Sequence, residues 1–217
     1  MKKLMVFTAA IMIFAGNAFA QEQTLLGDDK IISGGFGGPV IKVSTLNDKT
    51  ALMVGGKGGW IINHKFSIGG GGYGQVLNIS APKEAIAEYP YPNGTARDLN
   101  IEFGYGGFIM EYIGGWDKIV HYSVTSLIGA GGISYYDEIY DDDDDYDDDW
   151  DSRHFNLDDD AFFVFEPGIN AEMNITKWFR VNAGVSYLLV QGVDLVGLDD
   201  SDVGGLTGTL TFKFGKF

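Results

Sequence analysis

The chain has 217 residues, a formal net charge of −15, 32 glycines, 5 prolines and no cysteine. Without cysteine the fold cannot rely on disulfides, and few prolines beside 14% aromatic residues argue against a disordered chain. Because the charge is acidic and no basic patch is present, nucleic acid is not an expected partner.

The first twenty residues have the pattern of a secretory signal peptide. Lys2 and Lys3 precede an apolar run, and Ala18-Phe19-Ala20 is a small-x-small cleavage site. We therefore expect export, cleavage after Ala20 and one mature domain of residues 21–217. Beyond residue 20 no apolar run reaches about eighteen residues, so no transmembrane helix is predicted.

The rest of the chain alternates apolar and polar residues at every second position, which predicts β-strands. In "VHYSVTSLIGA", for example, Val120, Tyr122 and Val124 alternate with His121 and Ser123. The pattern predicts no helix and eight strands, which in chain order cover residues 33–46, 50–63, 65–79, 99–113, 119–136, 161–174, 178–193 and 204–217.

The connections between these strands alternate in length. Those after the second, fourth and sixth strands are tight, whereas the links 80–98, 137–160 and 194–203 are long and polar. The first link, 47–49, is short on the long-loop side and breaks the pattern. Together these features predict an all-β fold, a closed antiparallel eight-stranded transmembrane β-barrel. A soluble barrel with an apolar interior shows the same alternation and stays open as the alternative.

Charged residues of both signs on the predicted inner face favour the membrane barrel, because a soluble core does not tolerate them. The interior of eight strands is just wide enough to be filled by side chains. We therefore predict a lumenal ion-pair network formed by Lys42, Lys57, Glu102, Glu166, Glu172, Arg180 and Lys213. Aromatic residues beside the short turns predict an interfacial girdle made of Trp60, Phe66, Tyr112, Trp116, Trp178 and Phe179.

The C-terminal third is the part of the sequence whose residues are most specific to one kind of protein. The signal peptide, the eight strands and the terminal Phe217 together resemble the small outer-membrane β-barrel proteins of Gram-negative bacteria. From about Glu166, and above all in "NITKWFRVNAGVSYLLVQGVDLVGLDDSDVGGLTGTLTFKFGKF", the chain is similar to poorly characterised barrels of the Bacteroidetes type. The resemblance implies a barrel fold and a location in the cell outer membrane, with outer-membrane lipid and the outer-membrane assembly machinery as partners. It implies no activity.

The terminal Phe217 departs from the usual assembly signal. That signal has apolar residues in phase with the last one, whereas Phe214 and Phe212 here are out of phase with Phe217. A bulge at Gly215 would restore the phase.

The segment 137–160 carries a net charge of −13 out of the chain's −15. Runs of like charge are usually solvated, and "DDDDDYDDDWDS" lacks the glycine and glutamate of an EF-hand loop. Diffuse binding of divalent cations stays open, as does a surface partner at the loops. The candidate ligands are Asp141, Asp143, Asp145, Asp147 and Asp149. No cofactor is expected.

An H-x-S pair, His121 and Ser123, resembles the His/Ser pair of outer-membrane lipid A deacylases. The pair follows a tight turn, so it should lie near the periplasmic end and point into the lumen, away from lipid. We therefore predict a non-enzymatic surface protein that contributes to envelope integrity or adhesion through its long loops. The alternatives are a lipid-modifying outer-membrane enzyme and a small solute or cation channel.

Overall fold

The computed structural model describes residues 31–138 and 154–217. Residues Ile32–Phe217 belong to one compact unit. The predicted signal peptide and the candidate ligands Asp141 to Asp149 lie outside the described residues.

The described residues form a closed antiparallel barrel of eight long strands, as predicted. Each long strand pairs with the next one along the chain, and the last strand pairs with the first, so the sheet has no open edge. Two short strands, Asp194–Leu195 and Leu198–Asp199, pair only with each other, and a third, Ile79–Ser80, pairs with the long strand Leu99–Gly114. The strands are β1 (Ser33–Leu46), β2 (Lys49–Ile62), β3 (Phe66–Gln75), β4 (Ile79–Ser80), β5 (Leu99–Gly114), β6 (Val120–Glu138), β7 (His154–Asn174), β8 (Phe179–Gln191), β9 (Asp194–Leu195), β10 (Leu198–Asp199) and β11 (Gly205–Lys216).

The hairpin between β6 and β7 is longer than predicted. The prediction placed residues 137–160 in a loop, but β6 continues to Glu138 and β7 begins at His154. The pairing Glu138↔His154 belongs to the ladder, after a register shift between Tyr135 and Tyr136. Backbone hydrogen bonds form whatever the side-chain charge, so acidic composition alone did not mark the end of the strand.

Two short helices contradict the prediction that the mature chain has none. They are α1 (Lys83–Glu88) and α2 (Asp200–Val203). With six and four residues, neither is long enough to show a 3.6-residue period. Helix α2 begins with a capping box in which the Asp199 carboxylate accepts a hydrogen bond from the Ser201 backbone N–H at 2.6 Å. Neither helix has the length and hydropathy needed to cross a membrane.

The tight turns after β1 and β2 share one backbone conformation. Asn47 and Asp48 have φ of 48° and 57°, and Asn63 and His64 have φ of 52° and 59°. Two consecutive left-handed residues are the mark of a type I′ turn, whose twist matches that of the flanking strands. The turn after β1 therefore closes in two residues, which explains the short link on the long-loop side.

The two faces of the barrel are inverted relative to those of a soluble protein, with polar side chains inside and apolar side chains outside. Along β1, Lys42 and Ser44 are buried, whereas Ile41 and Val43 are exposed. All eight long strands have large exposed apolar side chains on the outward face. The lumen therefore contains the charged groups, and the outer surface is apolar.

Candidate functional site

The lumen end beside the short turns holds a cluster of buried charges centred on Glu172. The Arg180 Nη1 donates to Glu172 Oε1 at 2.9 Å, and the His121 Nε2 lies 3.1 Å from the same oxygen. The Lys213 Nζ donates to Glu172 Oε2 and, at 2.6 Å, to Glu111 Oε1. Five strands thus contribute one charged or titratable side chain each to a single connected network.

Two aromatic rings cover this cluster at the end of the barrel where the strand β11 finishes. The Arg180 guanidinium lies 3.9 Å from the centroid of the Phe217 ring, and the Lys213 Nζ lies 4.7 Å from that of Phe36. The β1–β11 register runs without a shift from Gly35↔Lys216 to Val43↔Gly208. No bulge therefore changes the phase of Phe217, and the outward aromatic residue that β11 itself contributes at this end is Phe214.

A second ion pair lies higher in the lumen, toward the long loops. The Lys42 Nζ donates to both Glu166 carboxylate oxygens, at 2.7 and 2.6 Å, and to the Tyr105 hydroxyl at 2.8 Å. The Tyr105 and Ser186 hydroxyls in turn donate to Glu166 at 2.9 and 2.6 Å. The Lys42 ammonium also lies 3.9 Å from the Tyr73 ring centroid. Each charge is therefore compensated by an opposite charge and by hydrogen bonds, as burial requires.

The space left beside this ion pair is small. A cavity of about 30 Å³ is lined by residues that include Lys42, Lys57, Glu166 and Asn170. Such a volume holds about one water molecule and is far too small for a solute path. Lys57 is buried and forms no ion pair with a described residue.

An apolar cap closes the lumen at the long-loop end. Residues of the links 76–98 and 192–204 pack on the strand ends, and the Tyr135 hydroxyl donates to the Val196 carbonyl at 2.7 Å. Gly197 has φ of +80°, and a Cβ there would lie 2.9 Å from Pro82 Cβ. The buried residues of the cap are Leu46, Ile79, Ala81, Ala85, Leu99, Ile101, Ile133, Tyr135, Val193, Leu195, Leu198 and Val203.

The cap was missed from sequence, although the predicted polar links contain the short apolar runs "EAIA" and "DLVGL". A hydrogen bond ties its edge to β7, since the Tyr89 hydroxyl donates to the Asp158 carboxylate at 2.9 Å. That hydrogen bond raises the pKa of the Tyr89 phenol above its ordinary value.

Six of the seven residues predicted for the lumenal network are buried in the lumen, namely Lys42, Lys57, Glu166, Glu172, Arg180 and Lys213. The prediction is wrong for Glu102, because its side chain is exposed on the outward face of β5 and does not enter the lumen. Glu111 takes part in the network instead and was missed. The two glutamates are nine positions apart, and an odd separation on a strand puts side chains on opposite faces.

His121 and Ser123 form hydrogen bonds with other residues and not with each other. The His121 Nδ1 lies 3.3 Å from the Lys118 carbonyl, and its Nε2 contacts Glu172. The Ser123 hydroxyl accepts hydrogen bonds from the Asn170 and Asn182 amides at 3.3 and 3.4 Å. Both side chains are buried in the lumen, so the histidine is not placed to deprotonate the serine.

Comparison with known proteins finds solved structures that are similar to this chain, but no family of related sequences. No protein-family model and no curated protein match the chain. Neisserial surface protein A is 11% identical, with 87% of this chain and 100% of that chain covered and a TM-score of 0.46. The attachment invasion locus protein Ail of Yersinia pestis is 11% identical over 84% of this chain and 97% of that chain, with a TM-score of 0.44. Acinetobacter baumannii CarO2 is 13% identical over 86% of this chain and 100% of that chain, with a TM-score of 0.37.

Proposed function

We propose that this protein is a non-enzymatic outer-membrane β-barrel with a closed lumen, which anchors its long-loop surface in the membrane. The observation that carries the proposal is the inversion of the two faces. Lys213 and Glu172 are 1% and 0% exposed inside the barrel, whereas Ile169 and Leu206 are 55% and 68% exposed outside. Burying the charges and exposing the apolar side chains is unfavourable in water and favourable in a bilayer.

The contents of the lumen support a closed barrel over a channel. From one end to the other they are the Phe36 and Phe217 rings, the Glu172 cluster, the Lys42–Glu166 pair and the apolar cap. An ion crossing this barrel has to displace salt-bridged side chains and then pass an apolar layer. Eight strands leave an interior that side chains fill, which favours a lumen without an ion path among the described residues.

Conductance across a planar lipid bilayer tests the closed lumen. The refolded protein should insert, as judged by protection of its strands from protease, and give no steady current above that of the protein-free bilayer. A large porin added to the same bilayer is the positive control. Steady currents that scale with the amount of inserted protein would overturn the proposal.

We further propose that the acidic long-loop end is the interaction surface. The segment 141–149 has eight aspartates and one tyrosine, which favours cationic partners or divalent cations. Cells with a chain lacking residues 141–149 should adhere less to a cationic surface than cells with the full chain, at equal barrel abundance. Equal adhesion would remove the role of this segment.

A further inference from the structure

The outward face of the barrel has a hollow near its long-loop end, with a volume of about 460 Å³. Its floor lies across four neighbouring strands, where Gly74 pairs with Gly104, Gly104 with Gly132, and Gly132 with Ala161. A volume of this size is in the range of small-molecule binding sites. Because the four residues carry at most a methyl group, the floor is bare backbone.

Two of these floor glycines are not required by packing. A Cβ on Gly74 would have no atom within 4 Å, and one on Gly132 would meet only the Asp160 carbonyl oxygen, at 3.8 Å. The inward glycines differ, since a Cβ on Gly129 would lie 2.0 Å from the Gly106 carbonyl oxygen. At Gly74 and Gly132 the missing side chain therefore keeps a space open and relieves no clash.

The rim of the hollow nearest the long loops carries hydrogen-bond acceptors without partners. Glu102 pairs in register with Ser134, and Ser134 with Asp159, so the three lie side by side. Neither carboxylate forms an ion pair with a described residue. Ser134 is 8% exposed and lines the hollow, and its hydroxyl has no hydrogen-bond partner among the described residues.

The rim lies at the expected height of a lipid headgroup. Tyr112 is exposed at the short-turn end of β5, ten residues from Glu102 on the same outward face. At about 3.4 Å per residue and a tilt of about 40°, the two are about 26 Å apart along the membrane normal. The apolar band of such barrels is about 25 Å tall, so the glycine floor lies in the hydrocarbon and the rim at its edge.

We propose that this hollow binds a membrane lipid with a primary ammonium headgroup, an inference that rests on the proposed membrane location. An ammonium group is cationic and has three N–H donors, which match the two carboxylates and the Ser134 hydroxyl. The acyl chains then lie on the bare floor. No Lys or Arg lines the hollow to bind a phosphate, and the described residues hold no group of three or more metal-ligating side chains placed for a metal ion.

Lipid binding to the purified full chain in a non-ionic detergent tests the proposal by native mass spectrometry. Phosphatidylethanolamine should bind about tenfold more tightly than phosphatidylcholine, whose quaternary ammonium has the same charge and no N–H donor. The double variant Glu102→Gln, Asp159→Asn should bind the two lipids equally. Gly132→Leu should weaken both by filling the hollow, whereas Gly37→Leu is the matched control, because Gly37 lies on β1 with nothing within 4 Å of its Cβ.

Equal binding of the two lipids by the unmodified chain would overturn the proposal, and so would a preference that survives the double variant. Binding of phosphatidylglycerol that depends on added Ca²⁺ would assign the rim to a divalent cation and overturn the ammonium assignment. The same preparation is inserted into bilayers for conductance. Failure to insert counts against the proposed function, whereas loss of lipid selectivity with normal insertion counts against this inference alone.

Discussion

At the scale of single residues, the lumen is stabilised by how each charge is paired. Lys213 bridges Glu111 and Glu172, and all three side chains are at most 1% exposed. Breaking a buried ion pair leaves an uncompensated charge, which costs far more than the pair itself contributes. Lys57 is also buried but has no such partner among the described residues, so the two lysines should respond differently to the same substitution.

Replacing Lys213 with Met should lower the free energy of unfolding by about 3–5 kcal/mol, because two carboxylates lose their shared cation. Lys57→Met is the matched control and should change it by less than about 1.5 kcal/mol, since the volume is kept and no ion pair is lost. Urea unfolding in lipid vesicles, followed by tryptophan fluorescence, measures both values. Equal losses for the two variants would contradict the assigned role of Lys213.

At the scale of elements, the glycines of β5 and β6 differ in how closely the neighbouring strand approaches them. The inward Gly107 and Gly129 lie so close to the neighbouring strand that a Cβ would come within 2.3 and 2.0 Å of a carbonyl oxygen. Such positions allow the tight coiling that a narrow barrel needs. The outward Gly132 has no such neighbour.

Gly129→Ala should therefore destabilise the barrel by about 1–3 kcal/mol, because the strands have to move apart to accept the methyl group. Gly132→Ala, on the same strand β6, should stay within about 0.5 kcal/mol of the unmodified chain. Both values come from the same urea titration. A result in which Gly132→Ala is the more damaging variant would show that the crowded face has been misassigned.

At the scale of the whole molecule, the barrel is a membrane protein only if its outer face lies in hydrocarbon. Ile128 lies in the middle of β6 and is 40% exposed, whereas Val120 begins the same strand at the short-turn end and is 54% exposed. In water, exposed Ile→Arg and Val→Arg changes are nearly neutral. In a bilayer the cost depends on depth.

Ile128→Arg should lower the free energy of unfolding in lipid vesicles by about 2–4 kcal/mol, and Val120→Arg by about 0–1 kcal/mol. Both proteins are refolded into the same vesicles and compared by the shift of their urea midpoints. Two equally small effects would indicate that this face is not in contact with hydrocarbon, which would count against the membrane location.

The sequence alone determined the number and order of the barrel strands, because a period of two is a local property of a strand, but it did not place the start of β7 or the end of β3. It also separated the inward Glu166 and Glu172 from the outward Phe163 and Ile169 on β7. On β5 both faces are largely apolar, so the sequence did not separate the inward face from the outward face. The prediction therefore placed Glu102 in the lumen and missed Glu111.

Only the tertiary structure decided which side chains meet. Lys42 and Glu166 are 124 positions apart, and Lys213 and Glu111 are 102 apart, so no local pattern pairs them. The same holds for the cap, because α1 and α2 are too short to have a period and become ordered only by packing on the barrel end. The physical reason is common to both. Periodicity assigns each residue to a face, whereas closure of the sheet brings the faces of distant strands together around one lumen.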